Sequence, residues 1–290
     1  MQQDCDALFD STRAYDWIET RTALQEPAPG RWGLAWLDLK DALQQSWFWI
    51  ALGWNDIVQR YRGSILGPLW LTLTTTVFVI GLGPLYGTLF GLETAKYLPV
   101  MALGVLVWNF ITGSINECCH AFIHFAHLMK QTRIPRLTLV LHVLWRNIIV
   151  LLHNLPVVVG ILLYCSVPLN WNMLLAVPGL ILVIFNLMWI GLLLAIVCVR
   201  FRDVLQIVSS LLLLGFFFTP VMWHPAMQRV PHWVMIANPF ASLIELVRAP
   251  LLGDGLPQWA LAMAVACLSA GGTLTAFVFA KYRQQIILWV

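Results

Sequence analysis

The residues able to do chemistry in this 290-residue chain are few, and most stand in apolar surroundings. His120, His124 and His127 recur at i, i+4 and i+7, beside Glu117 and Cys118, and are the best metal-ligand types in the chain. One straight helix rarely wraps a tetrahedral ion unaided, so these histidines are read as interfacial or partner-facing and no metal site is assigned. Arg146, Asn147, His153 and Asn154 interrupt an otherwise apolar run. Ionisable groups inside membrane segments are functional candidates. Arg146 either acts in that way or snorkels to the near membrane surface; His153 and Asn154 either bond a neighbouring helix or line a polar path. The chain lacks H-E-x-x-H, G-x-S-x-G, C-x-x-C and a paired-carboxylate motif, so no catalytic residue is assigned. It also lacks a G-x-x-x-x-G-K-[ST] loop to cradle ATP phosphates and a row of acids to relay protons. A transporter built this way needs an external motor. The six cysteines follow no framework spacing.

The elements that must position these residues are membrane helices. Apolar residues make up 60% of the chain and charged ones only 11%, against about 25% in ordinary domains. The expected class is an all-α polytopic membrane protein with six spans, at about 66–90, 98–119, 139–165, 172–198, 204–221 and 258–280. Arg60, Arg62, Lys130, Arg133, Arg136, Arg200, Arg202, Lys281 and Arg283 fall in alternate links, whereas the other links hold Lys96, Arg229 and Arg248. The positive-inside rule then puts both termini in the cytoplasm. Residues 1–34 read as a polar, acidic cytoplasmic tail, neither a secretory signal nor a transit peptide. Residues 35–62 read as an amphipathic interface helix, and 63–290 as the transmembrane domain.

The interface helix has a clear period. Trp36, Leu39, Leu43, Trp47, Ile50, Trp54, Ile57 and Tyr61 share an arc of about 80° at 3.6 residues per turn. Asp38, Asp41, Gln45, Asp56, Gln59 and Arg60 face the other way. Three tryptophans in the stripe suit a helix lying in the headgroup plane; a helix packed on a soluble neighbour is the alternative. Further on, the basic 121–138 link carries Pro135 after a short helix, and 199–203 is a tight turn. The 222–257 link holds apolar runs too short to span, and is expected to form a re-entrant or surface helical hairpin. Within it, Asn238 is set to cap a helix with Pro239 at its first position, Glu245 and Arg248 to pair at i,i+3, and Gly253 to close the helix. Aromatic residues (Phe78, Tyr86, Trp108, Phe110, Phe216, Phe217, Phe218, Trp223) offer flat faces on which sugars stack, or else simply pack.

Several of these stretches resemble one family. Asn55-Asp56-Ile57-x-x-Arg60-Tyr61-Arg62-Gly63-Ser64-x-Leu66-Gly67-Pro68-Leu69-Trp70 resembles the opening motif of type-2 ABC transporter permeases that export polysaccharides such as O-antigen, capsule and teichoic acid. Lys130-x-x-Arg133-Ile134-Pro135-Arg136 resembles their first coupling loop. Arg200-Phe201-Arg202-Asp203-Val204 and Phe217-Phe218-Thr219-Pro220-Val221-Met222-Trp223 resemble the elements flanking the fifth span, and Asn238-Pro239-Phe240 with Arg248 the segment before the last. The opening motif starts Asn-Asp where the family usually has Arg-Asp.

The resemblance implies a homodimer of permeases in the bacterial inner membrane with two separate ATPase subunits, no cofactor on this chain, and ATP and magnesium on the partner. It implies an ATPase-coupling loop of His127, Lys130, Arg133, Pro135 and Arg136, and a cytoplasmic mouth where Arg60, Tyr61 and Arg62 meet the phosphate of a lipid-linked donor. Trp70, Phe78, Tyr86, Trp108, Phe217, Phe218 and Trp223 would line a glycan channel, with Asn238, Pro239, Glu245 and Arg248 in the outer hairpin. The expected function is export of a lipid-linked polysaccharide to the periplasm. The alternatives are a permease of the same architecture for a small amphiphile or drug, a membrane-embedded metal enzyme using His120, His124 and His127, and a secondary transporter.

Overall fold

A computed structural model describes residues 30–64, 67, 69–89, 91, 93–223 and 232–290. The polar tail up to residue 29, the limits 66 and 90 of the first expected span, Pro68 and Arg229 lie outside the described residues. Every regular element described is helical: α1 (Arg31–Gln44), α2 (Ser46–Arg60), α3 (Leu69–Leu89), α4 (Thr94–His124), α5 (Ala126–Gln131), α6 (Arg136–Tyr164), a 3₁₀ turn (Trp171–Leu175), α7 (Ala176–Arg200), α8 (Asp203–Phe218), α9 (His232–Ile236), α10 (Pro239–Leu251), α11 (Gln258–Tyr282) and α12 (Ile286–Trp289).

Among the described residues, five segments are long and apolar enough to cross a bilayer: α3, α4, α6, the 3₁₀ turn with α7, and α11. The sixth expected span, 204–221, becomes the 16-residue α8, about 24 Å at 1.5 Å per residue against a hydrocarbon core of about 30 Å. The chain leaves the helix at Thr219 with extended dihedrals, and Thr219 and Val221 are buried. Central to the bundle is α4, which packs on α3, α6, α7, α8 and α10.

The interface helix is not continuous. It breaks at Gln45, whose ψ of 35° lies outside the helical range. The break frees carbonyls in the last turn of α1, and the indole N–H of Trp49 donates to one of them, Ala42 O, at 3.1 Å. The two halves then follow different neighbours: α1 packs on α6 and α11, and α2 packs on α6. Their acidic face turns inward, burying Asp38. Much of the apolar stripe stays uncovered, with Trp36, Leu43, Trp47, Ile50 and Trp54 all exposed, while Leu39 and Ile57 pack inward. Among the described residues the stripe is thus mostly free to meet lipid.

α10 sits inside the protein, against α4, α7 and α11, with Ala241–Pro250 buried throughout. α10 thus lies within the helical packing and not on the protein's surface. Asn238 Oδ1 accepts from the N–H groups of Phe240 (2.9 Å) and Ala241 (3.3 Å), and Pro239 takes the first position. The helix closes on Gly253 at φ +98°, where the N–H of Asp254 bonds Ala249 O and that of Gly253 bonds Pro250 O. That pair of bonds is the Schellman closure, which needs the left-handed residue glycine supplies.

Candidate functional site

At the end of the bundle where α4 stops and α6 begins, three helices bring charges together. α2 contributes Asp56 and Arg60, α4 contributes Glu117, and α6 contributes His142, Arg146 and Asn147. His142 and Arg146 stand one turn apart on α6 and so share a face. Arg146 Nη1 donates to Asp56 Oδ2 at 2.7 Å, while Nη2 reaches Glu117 Oε2 at 2.8 Å. His142 Nε2 lies 2.9 Å from the same Asp56 oxygen. Asn147 Nδ2 donates to Glu117 Oε2, and Arg60 Nη2 approaches Glu117 Oε1 at 3.7 Å. Two carboxylates and two guanidiniums thus balance one another. Arg146 does not snorkel: its planar fork bridges two acids, the geometry that favours Arg over Lys.

Beside this cluster lies a polar cleft of about 570 Å³, whose lining includes Asp38, Lys130, Arg133, Pro135, Arg136 and Arg283. Asp38 organises it. The carboxylate accepts from the backbone N–H of Arg136 at 3.0 and 3.3 Å, and so caps the first turn of α6 from a different helix. Arg283, just past the end of α11, approaches Asp38 Oδ2 at 3.3 Å through Nε. Burial pushes the Asp38 pKa above its ordinary value, with the Arg283 and Arg136 charges pulling it back down. Lys130 Nζ donates to Val290 O at 3.1 Å, and Arg200 sits 5.1 Å from the Trp289 ring centroid. The 132–135 stretch is thus held on one side through α5 by the C-terminal segment and on the other by Asp38. Arg133 stands exposed between them.

Of the expected coupling residues, Lys130, Arg133, Pro135 and Arg136 therefore share one cleft. His127 is not among its lining and accepts from Gln131 Nε2 at 2.9 Å if its Nε2 is unprotonated. Arg60 joins the first cluster, while Tyr61 and exposed Arg62 lie past the end of α2. His124 packs edge-on against Phe125. Among the described residues no three His, Cys, Asp or Glu side chains group as metal ligands. Deeper in α6, His153 Nδ1 bonds Ile149 O at 2.8 Å and Asn154 Nδ2 bonds Val150 O at 2.8 Å, both one turn back on their own helix. Neither bond reaches a neighbouring helix.

Toward the opposite end, Arg248 is fully buried. It pairs with Glu245 through Nη2, and its Nη1 donates to Pro220 O at 2.7 Å. The Tyr97 hydroxyl donates to Met222 O at 2.7 Å, and Asn238 Nδ2 to Thr219 Oγ1 at 3.0 Å. The 219–222 strip after α8 is therefore held from α4 and α10 together. Close approach makes this possible: a Cβ on Gly104 would lie 2.0 Å from Val221 O, and one on Gly179 2.1 Å from Leu246 O.

The aromatic residues separate into two groups. Trp108 is buried, 6.1 Å from Phe216 and 5.8 Å from Phe240 between ring centroids, and Tyr86 packs against the core. Trp70, Phe78, Phe217 and Phe218 are exposed, and Trp223 is half-buried beside the Arg248 guanidinium. α3 flanks α4 on the α6 side and α8 flanks it on the α7 side, so the exposed aromatics of the two helices lie on different flanks.

The residues missed in reading the sequence are Asp38, Asp56, Glu117 as an ion-pair partner, His142 and Arg283. A usable signal existed for some of them. Unlike charges in or beside apolar segments need partners, and His142, Arg146 and Asn147 at α-helical spacing mark a polar face on a membrane helix.

Residues 48–252 match the sequence profile of the ABC-2 type transporter family. The chain is 31% identical over 229 residues to the O-antigen export system permease protein RfbA of Myxococcus xanthus, covering 76% of this chain and 86% of that one. Two proteins of the same name from Klebsiella pneumoniae are 26% identical over 197 residues and 24% over 195, each covering 66% of this chain and 74% of the relative. With several long apolar helices and a family match over most of its length, the chain belongs to the ABC-2 type transporter family, as a multi-pass integral membrane permease.

Proposed function

We propose that this chain is the membrane-spanning subunit of an ATP-driven exporter that moves a lipid-linked polysaccharide of O-antigen type from the cytoplasm across the bacterial inner membrane. It would work as a homodimer with two copies of a separate ATPase, which carry the ATP and magnesium. Both termini and the basic end of the bundle would face the cytoplasm, and α8 with the 219–223 strip would complete a sixth crossing. The observation that carries this reading is the 132–135 loop, anchored through Asp38 and the C-terminal segment yet presenting Arg133 outward. Such a loop suits transmission of a rigid-body push from a partner into α6 and α4. Support for the substrate comes from the names of the relatives and from the exposed aromatics of α3 and α8. Because these lie on different flanks of one chain, a path lined by both sets needs a second copy.

Arg60 and Arg62 at the cytoplasmic mouth would attract the phosphate of the lipid-linked donor. The test is transport in proteoliposomes holding this chain and its ATPase. ATP-dependent passage of a lipid-linked glycan supports the reading. Passage of small amphiphiles with no movement of glycan contradicts it.

A further inference from the structure

The flank of the bundle where α1 meets α11 carries a groove that the export reading does not use. It encloses about 360 Å³, and its lining includes Trp32, Trp36, Phe185, Trp189, Leu268 and Phe279. Two of its polar lining groups are engaged within the protein: Thr275 Oγ1 donates to Trp189 O at 3.3 Å, and Trp189 Nε1 to Asn186 Oδ1 at 3.1 Å. A wall made mainly of aromatic and aliphatic carbon suits hydrocarbon better than water. Next along the same two helices is a small polar cleft of about 80 Å³, whose lining includes Arg31, Lys281, Arg283, Gln284 and Gln285 and no carboxylate. Arg283 is engaged by Asp38, but among the described residues neither Arg31 nor Lys281 makes an ion pair. Exposed Trp32 and Trp36 line the groove, Trp32 next in sequence to Arg31 of the cleft, and tryptophan concentrates at the level where headgroups meet acyl chains.

We infer that this flank is a site for an anionic phospholipid of the leaflet at the basic end of the bundle. One acyl chain fills the groove and the headgroup phosphate rests on Arg31 and Lys281. The lipid bridges α1 to α11, adding to their direct packing and to the 6.5 Å contact between the Trp32 and Phe277 rings. It is distinct from the substrate path, since the exposed aromatics of that path belong to α3 and α8. The inference stands whether or not the transported molecule is a glycan.

Gly272 provides a clean probe, because it lines the groove and a Cβ there meets nothing within 4 Å. Gly272→Phe would project a ring from α11 at a position where its Cβ meets no neighbour. Arg31→Gln with Lys281→Gln alters only the headgroup cleft, at exposed positions. The full chain in detergent is titrated with phosphatidylglycerol, phosphatidylcholine or inorganic phosphate, and bound lipid is counted by native mass spectrometry. The wild type is expected to hold phosphatidylglycerol at least about tenfold more tightly than phosphatidylcholine, as two surface cations would provide. The double glutamine variant loses that preference, and Gly272→Phe loses retained lipid of both kinds. Equal binding of the two lipids by the wild type overturns the inference, as does an unchanged preference in the glutamine variant. Full competition by inorganic phosphate would show an ion site alone and also overturn it.

Discussion

Arg146 and Asp56, 90 residues apart in sequence, meet at 2.7 Å and join the interface helix α2 to the membrane helix α6. The same guanidinium holds Glu117 of α4, so three helices share one charge balance. Breaking one partner of a largely buried pair costs more than the pair contributes, because the survivor is left without its counter-charge. Arg146→Gln and Asp56→Asn should each lower unfolding stability by about 2–3 kcal/mol, below the fully buried range because Asp56 keeps partial contact with water. The double variant should lose less than the sum. Thermal unfolding of the four proteins in one detergent gives the cycle, and strict additivity would show that the pair is not coupled.

Gly104→Ala places a methyl group against the Val221 carbonyl, which is backbone and has nowhere to go. A loss of about 1–3 kcal/mol is expected, with local exposure of the 219–223 strip to hydrogen exchange. Arg248→Lys should act on the same strip, since an ammonium lacks the fork that reaches both Glu245 and Pro220 O. Exchange rates unchanged in both variants would contradict the described clamp.

Asp38→Ala removes the acceptor that caps α6 and should cost about 1–3 kcal/mol, whereas Asp38→Asn keeps an oxygen for the Arg136 N–H and should cost less. The wild type also carries a pH signature. Its Asp38 pKa is raised above 3.8 on folding, so the folded chain holds a proton that the unfolded chain gives up. Stability from that proton is fully present below the ordinary value and is lost as pH rises through the folded one. On acidification from neutral pH, the wild type should therefore gain stability relative to Asp38→Asn, beginning above the ordinary value. Parallel melting curves of the two proteins at all pH values would refute this.

Trp108→Ala should destabilise the fold by about 3–5 kcal/mol, because Trp108 is a buried ring packed on Phe216 and Phe240. Phe217→Ala and Phe218→Ala, at exposed positions, should stay within about 0.5 kcal/mol of the wild type. If they line the glycan path, they should slow transport with assembly intact. Equal effects of all three variants on melting would remove the distinction between packing and path.

Much of the architecture is legible in the residues because lipid enforces strong rules. Long apolar runs must close their own backbone hydrogen bonds, so α4, α6, α7 and α11 fall where hydropathy puts them, within a few residues. Local chemistry was equally readable around α10, where Asn238, Pro239, the Glu245–Arg248 spacing and Gly253 each act at short range. What escaped reading is tertiary. Periodicity reported two faces on the interface helix, but only packing decides that the acids of 38 and 56 turn inward, or that Gln45 breaks the helix. Aromatic type likewise cannot tell a path from a core: Trp108 and Phe217 look alike in sequence and differ fully in burial.

The most direct test of the coupling account is co-purification of this chain with its ATPase, measuring subunit stoichiometry and ATP hydrolysis with and without Arg133→Glu. Arg133 is exposed, so the charge reversal should leave the fold intact. The account predicts a two-plus-two complex whose assembly or hydrolysis fails in the variant. A chain that purifies without the ATPase, or a complex indifferent to the reversal, would contradict it.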